Sequence, residues 1–408
     1  MSFDFNAFVR EDLPPAAARW TGFPAYNFVG GHNDEASVPV EALRAAADAV
    51  LMREGSNLGT YFLQSGPLGY RPLREFLCAK LKRAAAMDVD PDEILLTSGS
   101  LQAIDLINAA MLAPGDTVIV EESNYGGVFP RLARAGVEIV TIPVDAGGMD
   151  IDALETALKQ LDGQGTKAKY IYTIPTVHNP TGTIMPEERR IRFVALAARH
   201  GVPIFEDECY SDLIWSGERP PALHALDREG LVIHVGSFSK SIAPALRVGY
   251  IVAPWAVLSH ILSVKHDAGS GALEQMVLAE FCATHFDDHV AGLNRALEAK
   301  LDALIDALDE HFGASVEFER PPGGIFLWVK LPEGVETTRL AEVALAGGVA
   351  VNPGREWSKG ADAGRWIRLC FANPAPEAIR DGVARLADIC HAEFGTPEIG
   401  ANRRRAPS

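Results

Sequence analysis

The chain has 408 residues, 48% of them apolar, with 37 basic and 54 acidic side chains and a formal charge of −17 at pH 7. That length predicts two domains in one body with a large core, and the negative balance excludes nonspecific nucleic-acid binding, which needs a positive field. No run of about 18 uninterrupted apolar residues occurs, so no membrane span is expected. Met1 to Trp20 shows no apolar stretch after a basic start, so no secretory signal is read there. Cys78, Cys209, Cys282, Cys370 and Cys390 are odd in number and scattered, without metal-ligand spacing. They fit reduced thiols in a cytoplasmic protein. Arg403-Arg404-Arg405 reads as a solvated tail.

In chain order, Pro14, Pro15, Pro24 and Gly30-Gly31 make the start irregular, and helical composition begins at Val40. Leu73, Phe76, Leu77 and Leu81 lie at helical spacing within a helix over Arg71–Ala86. Strands are predicted over Glu93–Leu96, Thr117–Val120, Val137–Ile142, Tyr170–Ile174, Pro203–Glu206 and Leu231–Val235, with another over Gly249–Ala253. Helices over Leu101–Leu112, Val128–Ala135, Ile151–Leu161 and Glu187–His200 alternate with them. That alternation gives a largely parallel sheet with helices on both faces. A long helical region over Leu273–Phe312 follows and joins two parts. Beyond it come strands at Val316–Phe318, Ile325–Lys330, Val349–Val351 and Trp366–Phe371, with helices over Thr338–Ala346 and Pro376–Phe394, a smaller α+β domain.

Chemistry concentrates at Ser237-Phe238-Ser239-Lys240, just past the strand ending at Val235, with Arg247 seven residues on. A lysine there can form a Schiff base with an aldehyde cofactor. Hydroxyls and a guanidinium beside it can hold that cofactor's phosphate. This is the layout a pyridoxal phosphate (PLP) enzyme needs. A serine-rich turn with a solvated lysine is the plainer alternative. Thr97-Ser98-Gly99-Ser100-Leu101 is a strand-to-helix turn whose free N–H groups can bind an anion, with Gly99 permitting close approach and Ser100 adding a hydroxyl. Taken alone, the segment reads more plainly as an ordinary N-cap, since caps of this kind are common. Tyr125 can stack on a flat ring or simply pack. Asn179, in His178-Asn179-Pro180-Thr181-Gly182, is a turn residue that can also donate to a phenolate oxygen. Asp207, with Tyr210 three residues on, can pair with a pyridinium nitrogen or cap a helix. His178, Glu206 and Glu208 read as scaffold or rim. Arg368 lies on the apolar strand Trp366–Phe371, where a buried guanidinium needs an anion: a substrate carboxylate or an internal salt bridge. The 11 histidines show no metal-binding spacing.

Together these segments resemble the class I/II aminotransferase family of fold-type I PLP enzymes. The resemblance is carried by Tyr70-Arg71-Pro72-Leu73-Arg74-Glu75, Pro114-Gly115-Asp116, His178-Asn179-Pro180-Thr181-Gly182, Glu206-Asp207-Glu208-Cys209-Tyr210, Gly236-Ser237-Phe238-Ser239-Lys240, Arg247-Val248-Gly249, Pro322-Gly323-Gly324, Pro353-Gly354 and Ile367-Arg368-Leu369. It implies an α/β fold with a mostly parallel central sheet and a smaller α+β domain. An N-terminal segment over residues 1–50 would contribute to the small domain and the active-site mouth. A large PLP-binding domain would span 51–305 and a small C-terminal domain 306–408. It implies Lys240 as the cofactor lysine, Asp207 at the ring nitrogen, Asn179 and Tyr210 at the phenolic oxygen, and Tyr125 on the ring. Gly99, Ser100, Leu101, Ser237, Ser239 and Arg247 would surround the phosphate. Arg368, Gly31 and Asn179 would face the substrate. The substrates implied are an L-amino acid and a 2-oxo acid, and the assembly a cytoplasmic homodimer. The family's tyrosine before the glycine matching Gly69 is missing, with Gln64 or Ser65 in its place. His32-Asn33-Asp34 also departs from the family pattern. A PLP-dependent lyase, decarboxylase or oxidase on the same scaffold is one alternative. A non-enzymatic ligand-sensing domain is another; it would need a DNA-binding module, and the resemblance begins within the first 30 or so residues.

Overall fold

The structure is a computed structural model describing residues 6–10, 13, 16–20 and 22–397. Pro14, Pro15, Arg403-Arg404-Arg405 and the first five residues of the segment read for a secretory signal lie outside these. The chain runs through β1 (Tyr26–Asn27), α1 (Val40–Glu54), α2 (Arg71–Ala85), β2 (Ile94–Thr97), α3 (Ser100–Met111), β3 (Thr117–Glu121), α4 (Val128–Ala135) and β4 (Glu138–Ile142). A small hairpin, β5 (Val144–Asp145) and β6 (Gly148–Met149), precedes α5 (Ile151–Gly163), β7 (Ala168–Thr173), α6 (Glu187–His200) and β8 (Ile204–Asp207). Then come α7 (Leu223–Leu226), β9 (Val232–Ser237), β10 (Gly249–Val252), α8 (Trp255–Val264) and α9 (Ala272–His311). The remainder is β11 (Phe326–Lys330), α10 (Thr337–Ala346), β12 (Val349–Ala350), β13 (Asn352–Pro353), β14 (Trp366–Cys370) and α11 (Pro376–Phe394).

Seven strands form one sheet in the order β2-β10-β9-β8-β7-β3-β4. All neighbours pair in parallel except β10, which is antiparallel to both β2 and β9. β2, β3, β7, β8, β9 and β10 are buried along their whole length except Lys169. This is why they read as apolar runs rather than alternating ones. Their parallel members present their carboxyl ends on one edge. Ligands in open α/β sheets bind outside that edge.

The 40-residue α9 spans two hydrophobic clusters. Its first half, with Met276 and Phe281, packs against α1 and α2. Its second half, with Leu297, Leu301 and Leu304, packs with β11, β14 and α11. β1 pairs in parallel with β12, so the N-terminal segment joins the smaller part of the molecule.

Several boundaries differ from the sequence expectation. The predicted strand Val316–Phe318 is a single bridge between Glu317 and Lys330. α8 and the β5–β6 hairpin fall where the sequence shows no clear period. His178, Glu206 and Glu208 are scaffold and not rim, since each is 3% exposed or less. Glu206, for example, accepts hydrogen bonds from Leu223 N and His224 N at the start of α7 and contacts His234 Nδ1 at 2.9 Å.

Candidate active site

Lys240 follows β9 at the carboxyl edge of the sheet and donates its Nζ to the Gly31 carbonyl. Burial pushes the amine below the ordinary lysine value of 10.5. The residue stands between two adjoining cavities. The outer one, about 680 Å³, is lined by Gly31, Asn179, Arg368 and Trp357 among others. The inner one, about 130 Å³, is lined by Ser100, Leu101, Asp207, Cys209, Ser239 and Arg247. Tyr125, Tyr210, Lys240 and Pro244 border both.

The inner cavity has the donor set of an anion cradle. Gly99 caps α3 with φ 78° and gives no side-chain cap, so the first N–H groups of the helix keep no side-chain partner. A Cβ on Gly99 would collide with Arg247 Nη2, so only glycine lets the guanidinium reach this turn. Arg247 Nη2 donates to Ser98 O at 2.9 Å. Ser239 lines the cavity, while Ser237 stands one step back and accepts from Ser239 N at 3.1 Å. At the other end Asp207 is 5% exposed, and burial pushes its carboxyl up. Tyr172 O–H donates to Asp207 Oδ2 at 2.5 Å. Asn179 Nδ2 donates to Tyr210 Oη at 3.1 Å. A carboxylate at one end, an anion cradle at the other and a lysine along one side match the ring nitrogen, phosphate and aldehyde of PLP.

Arg368 sits on β14 with 3% exposure. Its guanidinium carbon lies 3.4 Å from the Trp357 ring centroid and 3.7 Å from that of Phe326. Nη1 donates to Asn179 Oδ1 at 3.1 Å, and Nη2 to Asn352 Oδ1 at 2.7 Å and Val29 O at 3.2 Å. Nε is buried without a partner. All of these acceptors are neutral, and Arg368 forms no ion pair among the described residues. Burial lowers its pKa to about 10, so it stays cationic at neutral pH. The internal salt bridge weighed from the sequence is therefore not made.

The structure thus brings Gly31, Tyr125, Asn179, Tyr210, Lys240 and Arg368 to one cavity, with Ser100, Leu101, Asp207, Ser239 and Arg247 to the adjoining one. Asn352, Trp357, Phe326 and Tyr172 were missed from sequence. Pro353-Gly354 flagged the neighbourhood of Asn352, but nothing local ties that residue to Arg368. Gln64 is exposed and Ser65 Oγ accepts from Arg71 N at 3.2 Å, so neither lines the pocket of its own chain. Phe62, Leu63 and Gln64 there adopt φ of 64°, 46° and 58°, a strained left-handed run. Among the described residues no His, Cys, Asp and Glu cluster could hold a metal ion, and no helix is long and apolar enough to cross a membrane.

Such a pocket at the carboxyl edge of such a sheet defines a PLP enzyme of fold type I. Residues 25–386 match the model of the family described as aminotransferase class I and II, and the chain belongs to that family. It is 34% identical to the aromatic-amino-acid aminotransferase 1 of Thermococcus litoralis, over 90% of this chain and 88% of that protein. It is similar in structure to the multiple substrate aminotransferase of Thermococcus profundus, with TM-score 0.88 and 30% identity, covering 97% of this chain and 100% of that one. The α-aminoadipate aminotransferase of Thermus thermophilus, solved with N-(5'-phosphopyridoxyl)-L-leucine, gives TM-score 0.83 at 32% identity over 91% of this chain and 93% of its own. The chain is a PLP-dependent transaminase.

Proposed function

We propose that this transaminase moves an amino group between L-amino acids with large uncharged side chains, aromatic ones included, and 2-oxo acids. The observation that carries the reading is Arg368, a buried cation with neutral partners only, in the same cavity as Lys240. A substrate α-carboxylate supplies the missing anion. Beyond Arg368 and Lys240 no lysine or arginine among the described residues lines the cavity, whose remaining wall includes Val29, His32, Gly126, Gly127 and Trp357, with the one carboxylate of Glu356; burial pushes the His32 imidazole below its ordinary 6.5, toward the neutral form. A side chain ending in a second carboxylate finds no cation there, whereas an apolar one finds aromatic and aliphatic surface. The names of the T. litoralis and T. profundus relatives agree with an aromatic and broad range.

When bound, PLP supplies an electron-withdrawing ring that takes up the electrons left by the departing α-proton. The other roles belong to the chain. Lys240, with its lowered basicity, holds and returns the proton at Nζ. Asp207 would hold a proton at the ring nitrogen. Asn179 and Tyr210 would serve the phenolic oxygen and Tyr125 the ring. Gly99, Ser100, Leu101, Ser239 and Arg247 would hold the phosphate, with Ser237 fixing Ser239. Gly31 orders Lys240 through its carbonyl. We also read the chain as a cytoplasmic homodimer with a large domain over 51–305 and a small one over 306–408, completed by the N-terminal segment. Tyr61 and Phe62, 78% and 42% exposed with ring centroids 6.4 Å apart, form an exposed aromatic pair that a partner would cover.

The test is a half-reaction panel: purified holoenzyme mixed with single amino acids, cofactor absorbance followed, and the 2-oxo acid quantified. Turnover of phenylalanine, tyrosine or leucine well above aspartate supports the substrate reading. A preference for dicarboxylates overturns it. Oxygen uptake or CO2 release in place of 2-oxo acid would point to the oxidase or decarboxylase alternative.

A further inference from the structure

Tyr170 and Tyr172 lie two residues apart on β7 and so share one face of the sheet. Both are buried, at 2% and 1% exposure, and both meet Phe205 edge-on, at 5.7 and 5.0 Å. Their hydroxyls diverge. Tyr170 donates to Asn108 Oδ1 on α3 at 2.7 Å, away from the cavity. Tyr172 donates to Asp207 Oδ2 at 2.5 Å, on the neighbouring strand β8.

The environment of Asp207 makes that donor unusual. Its other oxygen accepts from Cys209 N, at 3.2 Å. Burial acts on it most, then hydrogen bonds from Cys209 and Tyr172 and the charge of Glu208, with Glu121 acting on Tyr172 from β3. Lys240 and Arg247 line the same cavity, but their hydrogen bonds go to backbone carbonyls such as Gly31 O and Ser98 O, and among the described residues neither forms an ion pair with Asp207. A carboxylate 5% exposed and without a direct cationic partner depends on hydrogen bonds to stay ionised. The backbone N–H of Cys209 fixes one oxygen. The Tyr172 hydroxyl is the side-chain O–H donor to the other, and its ring is locked by packing.

We propose that Tyr172 is a positioning residue of the transamination: its hydroxyl keeps Asp207 an anion and weakens it as a base, so that the proton between Asp207 and the cofactor's ring nitrogen stays on the ring. This rests on the reading of Asp207 as the ring partner. Burial by itself pushes the Asp207 carboxyl up, and Cys209 and Tyr172 pull it back. Removing the phenolic O–H takes away a hydrogen bond that favours the ionised carboxylate, so the proton affinity of Asp207 rises. The proton then shifts toward Asp207, and the ring becomes a poorer electron sink.

The test uses the holoenzyme loaded with cofactor labelled with 15N in its ring, in the parent, Tyr172→Phe and Tyr170→Phe. Tyr170→Phe loses a buried hydroxyl from the same strand face and so reports packing damage alone. We expect the 15N signal of Tyr172→Phe to move toward the unprotonated position, its half-reaction rate to fall about tenfold and its KM to hold, while Tyr170→Phe keeps the parental signal. Site-specific 3-fluorotyrosine at 172 keeps the shape and strengthens the donor, so its signal should not move toward the unprotonated side even if Tyr172→Phe folds poorly. A parental 15N signal in Tyr172→Phe overturns the proposal, and so does an equal shift in Tyr170→Phe. So would a fluorotyrosine signal displaced toward the unprotonated position. Asp207→Asn separates the two levels: if it retains full turnover, the ring-partner reading itself fails; if it is inactive while Tyr172→Phe is unchanged, only the role of Tyr172 fails.

Discussion

Around the inner cavity, the polar groups come from residues at or just past strand ends: Ser100 after β2, Asp207 at the end of β8, Ser239 and Lys240 after β9. Around Arg368, the partners come from separated segments: Val29 after β1, Asn179 after β7 and Asn352 at the start of β13, facing an arginine on β14. The first half is gathered by the geometry of one largely parallel sheet. The second exists only once the smaller part of the molecule and the N-terminal segment meet the sheet. The contrast teaches that the cofactor side is fixed by the sheet, while the substrate side depends on how the two parts come together. Substitutions on the two sides should therefore fail in different ways.

The largest effect is expected at the inner half. Asp207→Asn removes the only carboxylate lining that cavity. Turnover should drop by about 10²–10³-fold or more, the scale seen when one preorganised electrostatic partner is lost. Cofactor should still bind, since the phosphate cradle is untouched. Stopped-flow half-reactions beside a cofactor titration check both. Next is the outer half. Arg368→Ala should cost about 2–5 kcal/mol in kcat/KM for amino acids, because a charged two-pronged partner is lost. Cofactor affinity should hold, and amines lacking a carboxylate should react as before. Asn352→Ala, which removes one neutral acceptor from Arg368, should cost only about 1 kcal/mol, read as a rise in KM with kcat kept.

The smallest effect is one of stability. Burial lowers the folded-state pKa of Lys240 below 10.5. The unfolded chain then holds that proton to higher pH than the folded one, so stability rises with pH between the two values, and the full penalty applies below the folded one. Lys240→Met removes the penalty. The cofactor-free variant should melt above the cofactor-free parent at neutral pH, by a margin that shrinks as pH rises and vanishes above 10.5. A margin constant with pH would mean that packing and not charge sets it.

Much of this was legible because local rules and the fold agree. α4 runs over Val128–Ala135 as predicted, ended by Gly136 with φ 71°, and α6 over Glu187–His200, ended by Gly201 with φ 59°. Strand-end chemistry was legible too, since Asp207, Ser239 and Lys240 sit at or just past the ends of apolar runs. The direction of β10 was not, because an apolar run carries no sign of which way its neighbours point. Nor was the bridge from Asn352 to Arg368, which spans two strands that pair only in the folded molecule. Tyr172 looked like one more aromatic in a buried strand; only the register of β7 beside β8 places its hydroxyl on Asp207. The state of Arg368 needed the fold, since sequence alone left a salt bridge open.

Borohydride reduction of the holoenzyme followed by peptide mapping tests the central claim most directly, because the inner and outer halves meet at one amine. The pyridoxyl group should be found on Lys240, in the peptide carrying Ser237-Phe238-Ser239, and on no other of the chain's lysines. Label on a different lysine, with Lys240 unmodified, would contradict the account.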